Sequence, residues 1–308
     1  MEGLVMRSTG SWYEVRKKES EQVYRCRLRG KFKIKGLKVT NPLAVGDRVT
    51  FELEETEEET GVITEIHQRD NYLIRKSTRK VRHGHIIGAN LDQAILVCTL
   101  VMPRTSQGFI DRFLVSCESY HIPAVLVFNK SDILVPEALE IQEELMELYE
   151  SLGYKCLAIS AKKGDGLDAF RELLKGKVSI LSGHSGVGKS TVINAIAPEV
   201  EQWTQEISTY ANKGVHTTTF AEMFEIEPGT FLIDTPGIKE LGLMDIKEEE
   251  IAGYFPEFRA LLSECRFYNC SHIHEPGCAV REAMKEGYID EGRYLSYLSM
   301  IEGDDNRR

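Results

Sequence analysis

Residues Gly183-His184-Ser185-Gly186-Val187-Gly188-Lys189-Ser190 fit G-x-x-x-x-G-K-[ST]. This loop constrains the fold more than any other feature of the chain. Its glycines let the backbone curl so that successive N–H groups point at a phosphate, and it must leave a buried strand and open a helix whose N-terminus lies beneath the ligand. The flanks agree. Val178 to Leu181 is a short apolar run of strand character, and Thr191 to Ile196 can begin a helix. In this reading Lys189 meets the β- and γ-phosphates, and Ser190 gives its hydroxyl to Mg²⁺.

A second motif selects the base. Asn129-Lys130-Ser131-Asp132 fits N-K-x-D directly after the apolar run Ala124 to Phe128. A carboxylate at Asp132 can accept from guanine N1–H and N2–H₂, whereas adenine offers neither donor and would leave the carboxylate unpaired. The Lys130 stem can pack on the base. Ser160-Ala161-Lys162, after the run Cys156 to Ile159, would bring a backbone amide to guanine O6. With each motif at the carboxyl end of a strand, the ligand contacts lie along one sheet edge.

The switch segments are weaker signals. Asp234-Thr235-Pro236-Gly237 fits D-x-x-G, a spacing that arises by chance about once in a chain of this length, so its position after the run Phe231 to Ile233 gives it weight. Asp234 would hold Mg²⁺ through water, and the Gly237 amide would meet the γ-phosphate. In Gly214-Val215-His216-Thr217-Thr218-Thr219 one threonine should reach Mg²⁺; Thr218 is the first choice and Thr217 the next. Ile238 follows Gly237, where Ras-like enzymes place a water-orienting glutamine. His216 is then the candidate catalytic group, against a purely structural role in its loop.

In an ordinary G domain the phosphate loop comes first and N-K-x-D and S-A-K last. Here positions 129 and 160 precede 183, 217 and 234. The cyclic order is kept and the breakpoint has moved, which is a circular permutation. Strands alternating with helices from about residue 90 predict a mostly parallel sheet with helices on both faces. The clearest helix carries Ile141, Leu145, Leu148 and Leu152 at i, i+4, i+7 and i+11. Thr219 to Ile226, then Glu227-Pro228-Gly229, predicts an antiparallel hairpin at the sheet edge.

The flanks differ in character. Residues 1–76 show short alternating runs (Ser11 to Arg16, Val23 to Arg29, Arg48 to Leu53, Val62 to His67) and no clear helix, which predicts an OB-type β-barrel. Arg25, Arg27 and Arg29 share one strand face, and Lys31, Lys33 and Lys35 alternate after Gly30, a stripe suited to nucleic-acid phosphates or simply to solvent. Of 38 basic residues 18 fall in the first 85 positions, against 13 of 48 acidic ones, so the head carries +5 and the remainder −15. A basic head on an acidic body fits a polyanionic partner. Residues 77–240 would form the permuted GTPase domain and 241–308 a helical metal-binding domain with an amphipathic segment Val280 to Ile301. In that last region Cys265, Cys270, His272 and Cys278 offer three thiolates and an imidazole, a full shell for tetrahedral structural Zn²⁺, with His274 as rival to His272. The remaining cysteines, Cys26, Cys98, Cys117 and Cys156, fall on apolar faces and read as core.

Seven cysteines in a chain of this size with no basic-then-apolar leader argue against a disulfide framework. No run approaches the ~20 apolar residues of a membrane helix. A cytoplasmic monomer with no membrane partner is the expectation.

Taken together, N-K-S-D, S-A-K, G-H-S-G-V-G-K-S-T, H-T-T-T and D-T-P-G in this order, with the Cys-Cys-His-Cys spacing and the β-rich head, resemble the circularly permuted ribosome small-subunit-dependent GTPases, RsgA (YjeQ). The resemblance implies an OB barrel, a permuted G domain and a zinc domain. It also implies a bacterial factor that binds the 30S subunit and 16S rRNA late in maturation and hydrolyses GTP to GDP and phosphate faster when bound. It places the nucleotide motifs at Asn129 to Asp132 and Gly183 to Thr191, the zinc ligands at Cys265, Cys270, His272 and Cys278, and the catalytic histidine at His216. Many members carry Arg before that histidine; here it is Val215. A nucleotide-gated RNA-binding regulator with incidental turnover is the alternative. A P-loop kinase or ATPase is disfavoured by Asp132.

Overall fold

The protein is described by a computed structural model that covers residues 1–30, 39, 41–54, 60–76, 84–198, 221–234 and 246–303. The first five strands, β1 (Glu2–Ser8), β2 (Tyr13–Lys17), β3 (Val23–Leu28), β4 (Arg48–Leu53) and β5 (Gly61–Ile66), form a ring in the order β1-β2-β3-β5-β4, closed by pairing of β4 with β1. Within the ring, β3 and β5 run parallel and the other pairs antiparallel. Closure removes both open edges. Alternation sends Val5, Val15, Tyr24, Cys26, Phe51 and Ile63 inward, all buried. The barrel was therefore legible from its alternating runs. Its first strand was not among them, because β1 stands out only through its pairing with β2 and β4.

A hairpin of β6 (Tyr72–Lys76) and β7 (Gly84–Ala89) leads from the barrel. The next sheet contains β8 (Gln93–Cys98), β9 (Ala124–Phe128), β10 (Lys155–Ala158), β11 (Val178–Ser182), β12 (Glu222–Glu227) and β13 (Thr230–Asp234). Their order is β10-β9-β8-β11-β13-β12, with every neighbour parallel except the β12–β13 hairpin. Every residue of β8 is buried, as expected of a parallel strand covered on both faces. Period-2 alternation splits the core in two. Ala94, Leu96, Cys98, Leu126 and Phe128 pack on α1 (Gln107–Ser119) and α2 (Pro136–Ser151). Ile95, Val97, Val125 and Val127 pack on α3 (Leu167–Leu174) and α4 (Lys189–Ile196). The edge strand β12 meets the barrel where Arg7 of β1 pairs in register with Glu222. An Arg16–Glu225 ion pair crosses the same seam.

Residues 246–303 are helical: α5 (Glu248–Ile251), α6 (Pro256–Arg259), α7 (Ala279–Lys285) and α8 (Glu291–Ile301). The amphipathic segment expected over Val280 to Ile301 is thus two helices, broken at Gly287, whose φ of 82° lies in the left-handed region. The α8 helix is capped by Asp290, whose carboxylate accepts from the Arg293 amide at 2.9 Å, and it packs along α1.

At the centre of that contact Arg293 is 1% exposed. It donates to Asp111 of α1 at 2.7 Å and to both oxygens of Glu257 at 2.7 and 3.0 Å. The Tyr149 hydroxyl of α2 donates to the same Asp111 oxygen at 2.8 Å. Removing one partner of a buried charge network strands the others. Arg293→Ala is therefore expected to destabilise the protein by about 3–5 kcal/mol, read as a lower denaturant midpoint. An unchanged midpoint would show that water replaces the guanidinium at no cost.

Candidate nucleotide site and metal cluster

The phosphate loop leaves β11 and enters α4, as its sequence required. Gly183 has φ 144°, and a Cβ there would sit 2.5 Å from the Val97 carbonyl oxygen. Gly188 has φ 99°, and a Cβ there would fall on Asn129 Nδ2. Both positions admit only glycine, one for close approach to the neighbouring strand and the other for contact with the base-reading loop. Lys189 Nζ donates to the Gly183 and His184 carbonyls at 2.6 and 2.9 Å, which arches it over its own loop. Burial holds its ammonium below the usual lysine range, with the Asp234 carboxylate opposing. A cation so placed is a ready partner for phosphate oxygens. Ser185, Ser190 and Thr191 are exposed, and Val187 is buried beneath the loop.

Asn129 joins three segments. It is 3% exposed. Its Nδ2 donates to the Val187 carbonyl at 2.8 Å and its Oδ1 accepts from the Ala161 amide at 3.0 Å. The sequence supplied the three motifs, and this one amide ties them together. Asp132 sits in a 3-10 turn, and Ser160 Oγ donates to its Oδ1 at 2.7 Å. Ser160 also accepts from the Lys163 amide at 3.1 Å, which fixes the hydroxyl's direction. One carboxylate oxygen is thus held, and no hydrogen bond among the described residues occupies the other. The Ala161 amide is already committed to Asn129. Ser131 Oγ meets Gln142 of α2 at 3.2 Å, which anchors the reader to its helix.

Lys130, with φ 67°, extends towards the phosphate loop. Its Nζ donates to the Gly186 carbonyl at 2.7 Å and to the Met102 carbonyl at 2.6 Å. The loop after β8 is therefore part of this site, although no motif marked it. The His184 ring lies 3.8 Å from that of Phe109 on α1, and burial lowers its pKa, with Lys189 adding to the effect. Neither contact leaves a spacing signal, because each joins segments far apart in the chain. Asp234 ends β13, in register with Leu181 of β11. A hydroxyl at Ser190 and a carboxylate at Asp234, both hard oxygen donors beside the loop, suit Mg²⁺. Gly237, His216, Thr217, Thr218, Val215 and Ile238 lie outside the described residues.

Cys265, Cys270, His272 and Cys278 come together, their ligand atoms all within 4.8 Å of one another. Tetrahedral zinc with Zn–S near 2.3 Å would place sulfurs about 3.8 Å apart, so the cluster could hold a metal ion. His272 Nδ1 is the inward atom, 3.3 Å from Cys278 Sγ and 3.7 Å from Cys265 Sγ. His274, the rival, is exposed and outside the group. Burial pushes the Cys270 thiol up to about 12, and binding a metal through it would release its proton. Tyr294 and Tyr297 hydroxyls donate to the His272 and Ser271 carbonyls, each at 2.7 Å, holding the ligand loop against α8. Cys26, Cys98, Cys117 and Cys156 are free and buried, as expected of core positions.

On the barrel, Arg25, Arg27 and Arg29 point outward while Tyr24 and Cys26 point inward. The face is less basic than its sequence suggested. Arg27 pairs with Glu54 at 2.5 Å and Arg29 with Glu52 at 3.8 Å, while Arg25 stacks over Trp12 at 4.5 Å. Lys31, Lys33 and Lys35 lie outside the described residues.

The RsgA N-terminal domain model matches residues 2–63, and the RsgA GTPase model matches residues 66–244. The small ribosomal subunit biogenesis GTPase RsgA of Bacteroides fragilis is 52% identical over 302 residues, covering 98% of this chain and 96% of that protein. The Cytophaga hutchinsonii protein of the same name is 50% identical over 308 residues, covering all of both. Among solved structures, YjeQ from Thermotoga maritima matches with TM-score 0.77 at 37% identity, over 100% of this chain and 99% of that one. YloQ, described as a circularly permuted GTPase, matches with TM-score 0.74 at 31% identity, over 100% and 96%. Similarity of this extent covers the barrel, the permuted sheet and the Cys/His region alike, and the chain belongs to the RsgA GTPase family.

Proposed function

We propose that this GTPase works on the small ribosomal subunit, binding it in the GTP state, hydrolysing GTP there and assisting late maturation. The observation that carries the proposal is whole-chain identity near 50% to proteins named for small ribosomal subunit biogenesis. In this reading Asn129, Lys130, Ser131 and Asp132 hold the guanine end with Ser160, Ala161 and Lys162. Gly183 to Thr191 cradle the phosphates, and Asp234 and Gly237 read the γ-phosphate. Ser190, Thr218 and Asp234 would hold Mg²⁺, which supplies charge neutralisation at the phosphates. His216 orients the attacking water. The division is 1–76 for the RNA-binding barrel, 77–240 for the GTPase domain and 241–308 for the zinc domain. The site of action is the cytoplasm, as a monomer on 16S rRNA.

Co-sedimentation with purified small subunits tests the proposal. The chain should pellet with them in a GTP-analogue state and be released in GDP, and subunits should accelerate hydrolysis. Stimulation by free RNA alone would favour the nucleotide-gated RNA binder. Reversing Arg25, Arg27 and Lys33 to Glu should weaken binding and reduce the slope of log K against log salt by about two to three, at unchanged nucleotide affinity. Normal binding of that variant would leave the stripe as solvated surface.

Zinc is the proposed occupant of the Cys/His cluster. Elemental analysis should find about one zinc per chain, as a closed four-ligand site requires. His272→Ala should lose it and His274→Ala should keep it. The reverse result would assign the ligand to His274.

A further inference from the structure

The helix α2 poses a problem. Its apolar stripe, Ile141, Leu145 and Leu148, has the spacing of a core-facing seam, yet its buried residues are Gln142 and Tyr149, and Ile141 is 51% exposed. Leu145 packs partly against the core, but Ile141, Leu145 and Leu148 also form one wall of a surface groove of about 460 Å³. Leu100 and Val101, from the loop after β8, form the other. A groove of this size takes a few apolar side chains. Exposed apolar residues continue beyond it: Val135, the N-cap of α2, is 59% exposed, and Met102, next to Val101, is 75% exposed.

The charge around the groove is one-sided. Helix α2 carries Glu137, Glu140, Glu143, Glu144, Glu147 and Glu150, all exposed, and no basic residue. None of the six forms an ion pair among the described residues. At about 100° per residue, Glu137, Glu140, Glu144 and Glu147 flank the stripe on a single side. Glu144 and Asp290 reach the groove itself, against one basic residue, Arg104.

We propose that this groove docks a basic polypeptide segment that inserts apolar side chains between α2 and the loop after β8 and sets Lys or Arg against the glutamates. Complementary charge steers such a segment, and apolar anchors hold it. RNA is disfavoured here, because its phosphates would face unpaired carboxylates. The partner is thus a different class from that proposed for the barrel, and the inference does not depend on ribosome binding. The groove also places its occupant beside the nucleotide site: the Met102 carbonyl receives Lys130, and Ser131 touches Gln142 of α2.

The test uses the full chain and a labelled 14-residue amphipathic peptide of Leu and Lys, followed by fluorescence anisotropy. Ile141→Asp adds a negative charge, so binding by charge alone would tighten, whereas binding in the groove should weaken about tenfold. Glu144→Gln should weaken binding less and lower its salt dependence. Nucleotide affinity, unchanged in both variants, reports that they fold. Unaltered or tighter binding to Ile141→Asp, no binding of the basic peptide to the parent chain, or equal competition by an acidic Leu/Glu peptide or an RNA oligomer would each overturn the proposal. The same variants assayed on small subunits keep the two readings separate. A parent chain that ignores subunits would count against the ribosomal function and leave the peptide result standing.

Discussion

Asp132→Asn is expected to lower GTP affinity by about 10²- to 10⁴-fold and to raise affinity for xanthosine triphosphate. The range follows from two charge-assisted hydrogen bonds to guanine, each worth about 1.5–3 kcal/mol. The direction follows from the geometry. Ser160 Oγ donates to Asp132 Oδ1 at 2.7 Å, and it will continue to donate to the carbonyl oxygen of an asparagine there. That contact turns the new NH₂ group towards the base. An amide donor repels guanine N1–H and N2–H₂ but matches the C2 carbonyl of xanthine. Direct titration of both nucleotides checks this, and unchanged GTP affinity would remove Asp132 from the base-reading role. Adding Ser160→Ala to Asp132→Asn provides an internal control. With the orienting hydroxyl gone, the introduced side-chain amide can flip, and the xanthine preference should shrink.

His216→Ala is expected to retain GTP affinity and subunit binding while losing most of the subunit-stimulated rate, about 10²- to 10⁴-fold, the usual contribution of a positioned proton-handling side chain. The motive is Ile238, which stands where a water-orienting amide would be and can only pack. Phosphoryl transfer passes through a loose transition state, so a protein accelerates it mainly by positioning and by charge stabilisation. In the proposed reading Lys189 and the loop amides would meet the charge, which leaves the water to another group. Ile238→Ala should therefore be the milder change. Single-turnover hydrolysis with saturating subunits measures both. Full stimulated turnover in His216→Ala would assign the orientation of water to the subunit itself.

The strands of the nucleotide domain were legible because parallel strands buried on both faces read as short apolar runs. Ala124 to Phe128 was placed to the residue, and β10, β11 and β13 to within one. The hairpin of β12 and β13 was legible from alternation and from Pro228-Gly229. The α2 stripe was only partly a core seam: Leu145 and Leu152 pack against the core, but Ile141 does not. Periodicity says which face of a helix is apolar but not what covers it, and here Tyr149 is buried and bonded to Asp111 while Ile141 is 51% exposed. The basic barrel face was legible as a stripe of arginines, but not the carboxylates of Glu52 and Glu54 brought across from β4 and its end.

Nucleotide class, permuted order and the Cys/His cluster, apart from the choice between His272 and His274, were readable from residue order. Each motif is carried by side chains close together in the chain, and the permuted order by the sequence in which those motifs follow one another. What those groups touch was settled by folding. Asn129 reaches Val187 across 58 positions, Lys130 reaches Gly186 across 56, and Arg293 reaches Asp111 across 182. The position of His272 Nδ1 beside the Cys265 and Cys278 thiols, with His274 exposed outside the group, is likewise a result of folding that the spacing of the two histidines did not show. Such contacts form only when distant segments arrive at one place, and there the burial of each polar group demands a partner. The chain's spacing does not encode which partner that will be.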